Sequence, residues 1–206
     1  MYDKIYELVK MTDSTERAVW ILEHLNNAIV QSSNSLSNII SEGTDTRILY
    51  MAHYDVINKF CANDNSASVI NLLAFKKLFP YKTVVFTDKE EPPFMGMGAK
   101  LLCSYIREKN VQKIVNCELT GYGSNILFDE TLDLVNVGEP CHFSFSDANI
   151  IKQEFPNIVK VNTIITFRND KKIIYHCHSD RDSIDKINLK DMQFFVERLL
   201  PNIDFV

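Results

Sequence analysis

Short, continuously apolar runs alternate with helix-length segments along this chain. That alternation restricts the fold more than any other feature. Residues 47 to 52, Thr83 to Thr87, Gln112 to Cys117, Val159 to Phe167 and Lys172 to His176 have the length and β-branched or aromatic content of buried strands. Between and around them lie helical patterns. Residues 14 to 30 carry Ala18, Ile21, Leu22 and Leu25 behind Asp13 or Ser14 as cap. Residues 66 to 79 stop at Pro80, Gly98 to Lys109 form a third pattern, and Asn188 to Leu199 closes the chain with Asn188 as its cap. Strands apolar on both faces and separated by helices predict an α/β fold. The expected architecture is a mostly parallel, mixed sheet sandwiched between helices, in one domain spanning residues 1–206.

Composition agrees. The 206 residues are 46% apolar, enough for a full core. A net charge of −5 argues against a nucleic-acid groove, which favours a basic balance. No window approaches the ~18 consecutive apolar residues of a membrane helix. The first residues, MYDKIYELVKMTDSTERAVW, lack the apolar segment and small-residue cleavage site of a secretory signal. Cys61, Cys103, Cys117, Cys141 and Cys177 are scattered, with no Cys-x-x-Cys pair. A reduced, cytoplasmic protein is therefore expected. Cys117 and Cys177 each adjoin a candidate site residue, but thiolate ligation is not expected of either.

In parallel sheets, ligands bind beyond the carboxyl ends of the strands. Metal-capable residues recur at those ends. His53 and Asp55 close the first strand in "MAHYDV"; Asp64 lies in the loop Cys61-Ala62-Asn63-Asp64-Asn65; Glu90 and Glu91 follow the second strand; Glu118 ends the third; His178 follows the last. Each is weak alone, since a single strand-end His or an Asp-Asn loop is ordinary hydrogen-bond or cap chemistry. Together they put hard or borderline ligands on one rim. Two histidines and three carboxylates suit a pair of divalent ions, and zinc accepts both donor types. A carboxylate can bridge two such ions, and a spare one can act as general base. Glu90 and Glu91 point in different directions if extended, so one can ligate while the other faces substrate.

The order His53-x-Asp55, Ala62-Asn63-Asp64-Asn65, Glu90-Glu91, Asn116-Cys117-Glu118 and His178-x-x-x-Asp182-Ser183 resembles the M28 family of zinc aminopeptidases. Glu91 to Gly96 also resembles the family's acidic pair and glycine turn, and the likeness runs from about residue 47 to residue 188. The resemblance implies that His53 and Glu118 bind one zinc, that Glu91 and His178 bind the other, and that Asp64 bridges them. It implies Glu90 as general base and Asp55 as the partner that orients His53. Cobalt or manganese would satisfy the same donors. The implied activity is removal of N-terminal residues from peptides by a water that the metal pair activates. Asp182 either supports His178 in the same way or caps a turn. His176 lines the pocket, replaces His178 or is structural; the spacing to Asp182-Ser183 favours His178.

The chain departs from the family pattern at Glu118, where Asp is commoner, and at Pro92-Pro93, which stiffens the loop after the acidic pair. The interval between Glu118 and His178 leaves no room for a lid domain. Two alternatives stand beside the peptidase: a glutaminyl-cyclase-like, mono-zinc acyltransferase and a non-catalytic relative. The expected partners are a peptide or aminoacyl substrate, not nucleic acid or membrane, and a homo-oligomer is compatible with so compact a chain.

Overall fold

The computed structural model of the chain describes residues 1–130, 137–143, 146–168 and 177–203. Helices α1 (Ile5–Leu8) and α2 (Ser14–Glu23) precede a hairpin of β1 (Ala28–Ser33) and β2 (Leu36–Ser41), then β3 (Asp45–His53). A loop and α3 (Ser68–Leu78) lead to β4 (Lys82–Thr87), α4 (Met97–Lys109) and β5 (Lys113–Glu118). Strands β6 (Asn125–Asp129) and β7 (Glu139–Cys141), helix α5 (Asp147–Glu154), β8 (Lys160–Phe167) and α6 (Leu189–Phe194) follow. The strands join one mixed sheet in the order β1-β2-β4-β3-β5-β8-β6-β7. Its centre, β4-β3-β5-β8, is parallel throughout. The α/β architecture expected from the sequence is the one observed.

Both faces of the central strands are covered, which is why those strands are apolar along their length. On β3, Tyr50 and Ala52 face a core shared with Trp20, Phe75, Met192 and Phe195. Leu49 and Met51, alternating with them, face the opposite core with Leu102, Ile106, Ile151 and Phe155. Leu49 and Met51, fully buried, each contribute ~1.5–3 kcal/mol relative to exposure. Alternate residues anchored in two separate cores therefore hold β3 and its polar end firmly in place.

The parallel register decides where the polar ends arrive. His53 stands opposite Thr87 of β4, and Met51 stands opposite Asn116 of β5. Glu118, two residues beyond Asn116, thus comes level with His53, and the loop carrying Glu90 and Glu91 starts at the same rim.

The expected helix over 14–30 is shorter than that. Asp13 caps it, accepting from Thr15 and Glu16 N–H at 2.9 and 3.1 Å, but α2 ends at Glu23. Asn27 then adopts a left-handed conformation, φ 57°, and Ile29 and Val30 belong to β1. Asparagine tolerates that region because its short amide can bond locally. The hairpin turns at Asn34 and Ser35, with Asn34 at φ 53°. The sequence reading passed over β1 and β2 because their Ser and Asn content dilutes the strand pattern. It also passed over β6, β7 and α5. The closing helix begins where expected, with Asn188 accepting from Lys190 and Asp191 N–H at 3.0 and 3.2 Å. The expected strand Lys172 to His176, and with it His176, lies outside the described residues. Among the described residues no helix is long and apolar enough to cross a membrane.

Candidate metal centre

Asp64 is the centre of the site. Its carboxylate is buried, and its two oxygens face different donors. Oδ1 lies 3.2 Å from His53 Nε2, which is itself 3.4 Å from Glu118 Oε2. Oδ2 lies 3.1 Å from His178 Nε2, which is 3.1 Å from both oxygens of Glu91. His53 and Glu91 approach each other across the site at 3.9 Å. Donors bound to one tetrahedral zinc at ~2.0–2.1 Å stand about 3.3 Å apart. The separations on either side of Asp64 therefore suit two ions sharing that carboxylate. The five residues expected as ligands (His53, Asp64, Glu91, Glu118 and His178) are brought together.

Local structure explains how Asp64 is held. The loop before α3 presents the backbone N–H groups of Asn63 and Asp64 to Asp182, which accepts them at 2.7 and 2.9 Å. Asp182 thus clamps the Asp64 loop; its charge is felt at His178, but the bonds it makes are to backbone. Asn65 donates to Glu118 Oε2 at 2.9 Å and to the Cys117 carbonyl at 3.0 Å. Asn116 donates to Glu118 Oε1 at 3.2 Å. Glu118 is thereby oriented from both sides by amides that flank two of the candidate ligands in sequence.

His53 Nδ1 faces the backbone carbonyl and the Oδ1 of Asp55, each at 3.3 Å. The carbonyl has the hydrogen-bond geometry, while the carboxylate adds charge behind the ring. Asp55 Oδ2 accepts the Glu91 N–H at 3.0 Å, so one carboxylate ties two candidate ligands together. The sequence alone does not show that second bond. Asp55→Asn is expected to stay folded and to lose ~10–100-fold in metal affinity, the usual cost of changing a ligand's support. The check is activity against added metal, with thermal unfolding as control; wild-type activity at limiting metal would show that the pair supports nothing.

Glu90 and Glu91 diverge, as expected, although Glu91 sits in a bend rather than in extended chain. Glu91 faces the imidazoles. Glu90 is buried against the start of α4, where Oε1 accepts the Ala99 N–H at 2.6 Å. Gly98 makes that placement possible: a Cβ there would stand 2.6 Å from Glu90 Oε1 and 2.3 Å from the Asp88 carbonyl.

The charges report the same crowding. Burial pushes the Glu90 carboxyl well above its ordinary range, and Asp147 and Asp55 push it further. Burial also raises Glu91, to about 7. Burial opposes a charge on His53, but Glu118, Asp55 and Asp64 outweigh it and raise its pKa well above the usual value. The bond to Asp64 raises His178 to about 9. Carboxylates outnumber imidazoles here, and added cations relieve the imbalance.

Beside these residues is a cavity of about 400 Å³. Pro92, Met95, Leu119, Phe143 and Ile165 give it apolar walls, and Glu90 and Asp147 give it an acidic side. Sequence reasoning missed Asp147. Its signal was Ser146-Asp147 opening α5, where Ser146 accepts the Ala148 N–H at 3.2 Å. Cys177, not expected to take part, also reaches the site: its Sγ lies 2.7 Å from Asp64 Oδ2. Among the described residues, two clusters could hold an ion, His53-Asp64-Glu118 and Asp64-Cys177-His178, and Asp64 belongs to both.

No family model matches the chain. Among curated proteins it is similar to a vacuolar membrane protease of Vanderwaltozyma polyspora, with 31% identity over 91 residues. That stretch is 42% of this chain and 10% of the relative, so the match spans a tenth of that protein's length. Among solved structures it resembles the Porphyromonas gingivalis glutaminyl cyclase, with TM-score 0.75 and 14% identity, covering 98% of this chain and 95% of that one. It also resembles Legionella pneumophila LapB, with TM-score 0.71 and 14% identity, covering 95% and 68%. The LapA aminopeptidase of the same organism gives TM-score 0.68 and 13% identity, covering 95% and 69%. At these identities the likeness is one of architecture, and the chain shares its α/β fold with an aminopeptidase and a glutaminyl cyclase.

Proposed function

We propose that this protein is a metal-dependent exopeptidase that removes N-terminal residues from peptides. The observation that carries the reading is Asp64, whose two oxygens each face a separate, complete set of donors. His53 and Glu118 would hold one ion, Glu91 and His178 the other, and Asp64 would contact both. Zinc suits the nitrogen and carboxylate donors. Bound there, such a pair would polarise the scissile carbonyl and lower the pKa of water. Glu90, on the acidic side of the cavity, takes a proton from the attacking water and returns it to the leaving amine nitrogen. Positive charge among these carboxylates favours the ionised form that a base requires.

The cavity supports an exopeptidase. Its apolar walls receive a side chain, and its acidic side attracts an α-ammonium group. Asp55 orients His53, and Asp182 keeps Asp64 between the two donor sets.

The cyclase alternative draws support from the matching lengths of this chain and the P. gingivalis enzyme. The two reactions leave different products. A peptide beginning with glutamine loses a free glutamine to an aminopeptidase, whereas a cyclase releases ammonia and leaves the chain otherwise whole. Mass analysis of such a peptide, together with a panel of aminoacyl substrates, separates them. We expect free amino acids, abolished by a chelator and restored by zinc, cobalt or manganese. Ammonia with an intact peptide would replace the peptidase by the cyclase, and no turnover of any substrate with metal present would favour the non-catalytic relative.

A further inference from the structure

The donor sets above use carboxylates and imidazoles, but the site also contains a thiol. Cys177 directly precedes His178 and is half-buried in the wall of the cavity. Its Sγ is 2.7 Å from Asp64 Oδ2, the oxygen that lies 3.1 Å from His178 Nε2. Sulfur, nitrogen and oxygen donors here all stand within 4.8 Å of one another.

Neighbouring side chains on an extended segment point to opposite sides. These two do not, because His178 adopts a left-handed backbone with φ 58°. For a residue other than glycine, that conformation is uncommon and persists where the surroundings impose it. It turns the chain so that consecutive side chains converge on one carboxylate oxygen. The other cysteines do not join this cluster; Cys61, Cys103 and Cys117 are buried elsewhere in the fold.

We propose that Cys177 is a thiolate ligand to the ion held by Asp64, Glu91 and His178, and that it biases this position towards thiophilic ions over hard ones such as magnesium or manganese. The proposal rests on the two-ion reading above. In the metal-free protein the thiol donates its hydrogen to Asp64 Oδ2. On coordination the S–H bond breaks and a sulfur lone pair forms the bond to the ion. The proton leaves to solvent past His178, whose side chain is 45% exposed. Thiolate sulfur selects zinc and cobalt, whereas carboxylate and water suit magnesium and manganese. Among the described residues the opposite cluster of His53, Asp64 and Glu118 contains no sulfur, so the two ions should differ in preference.

Cobalt substitution tests this without reference to turnover. Metal-free full-length protein is titrated with cobalt and its absorption recorded. Wild type should show visible d–d bands together with a near-ultraviolet sulfur-to-cobalt charge-transfer band. Cys177→Ser should keep the visible bands and lose the charge-transfer band, with thermal unfolding confirming that it is folded. X-ray absorption of zinc-loaded wild type needs no variant and, averaged over the two ions, should show half a sulfur per zinc at ~2.3 Å among nitrogen and oxygen neighbours. Visible bands without a charge-transfer band in wild type, or a charge-transfer band that survives in Cys177→Ser, would overturn the role of Cys177 and leave the two-ion reading standing. Failure of wild type to bind cobalt or zinc at all would overturn both.

Discussion

Glu90→Gln is expected to lower kcat by ~10²–10⁴-fold or more while both ions stay bound. The substitution changes little else. The amide keeps an oxygen where Glu90 Oε1 accepts the Ala99 N–H, and it fits the space that Gly98 leaves open. It cannot accept a proton from water. Because Glu91, and not Glu90, is the carboxylate 3.1 Å from His178, metal content should match wild type. The measurement is kcat alongside metal per chain. Near-normal kcat would remove Glu90 from the chemistry, and loss of metal would make it a ligand.

Asp64→Asn is expected to weaken both ions together, by more than the ~10–100-fold that changing an outer partner costs. Each Asp64 oxygen serves one donor set, and the amide neutralises the charge shared between them. The fold should survive, because Asp182 holds the Asp64 backbone and not its side chain. His178→Ala, by contrast, removes a donor from one set and should chiefly weaken one ion. Calorimetric titration of both variants separates the cases. Two ions bound by Asp64→Asn with unchanged affinity would mean that Asp64 is no bridge.

The rim of ligands was legible because parallel pairing turns strand ends into neighbours. Once residues 47 to 52, Thr83 to Thr87 and Gln112 to Cys117 are strands of one parallel sheet, His53, Glu90, Glu91 and Glu118 must gather at its carboxyl edge. What holds them was less legible. Asp182 reaches the Asp64 loop from 118 residues away, and no local pattern announces such a bond. Asn65 and Asn116 stand inside the motifs that carry the resemblance, but nothing in the sequence says that both orient Glu118. The hairpin β1-β2 escaped notice because edge strands need not be apolar on both faces; Ile29 and Val30 are about half exposed. The long reading of α2 counted those same apolar residues as helical and gave too little weight to Asn26-Asn27, where the chain turns. Ligation by Cys177 is not expected from the sequence because a thiol lies outside the pattern of imidazoles and carboxylates. Only the left-handed turn at His178 brings the sulfur to Asp64.

If two ions joined at Asp64 carry out hydrolysis, metal binding and turnover must rise together. A titration of metal-free protein with zinc, in which bound metal and release of free amino acid from an aminoacyl substrate are followed side by side, should reach two ions per chain at saturation. Full turnover should come only when both positions are filled, and the same end point should be lost in Asp64→Asn. Saturation at one ion per chain, with turnover already complete, would rule out the ion pair.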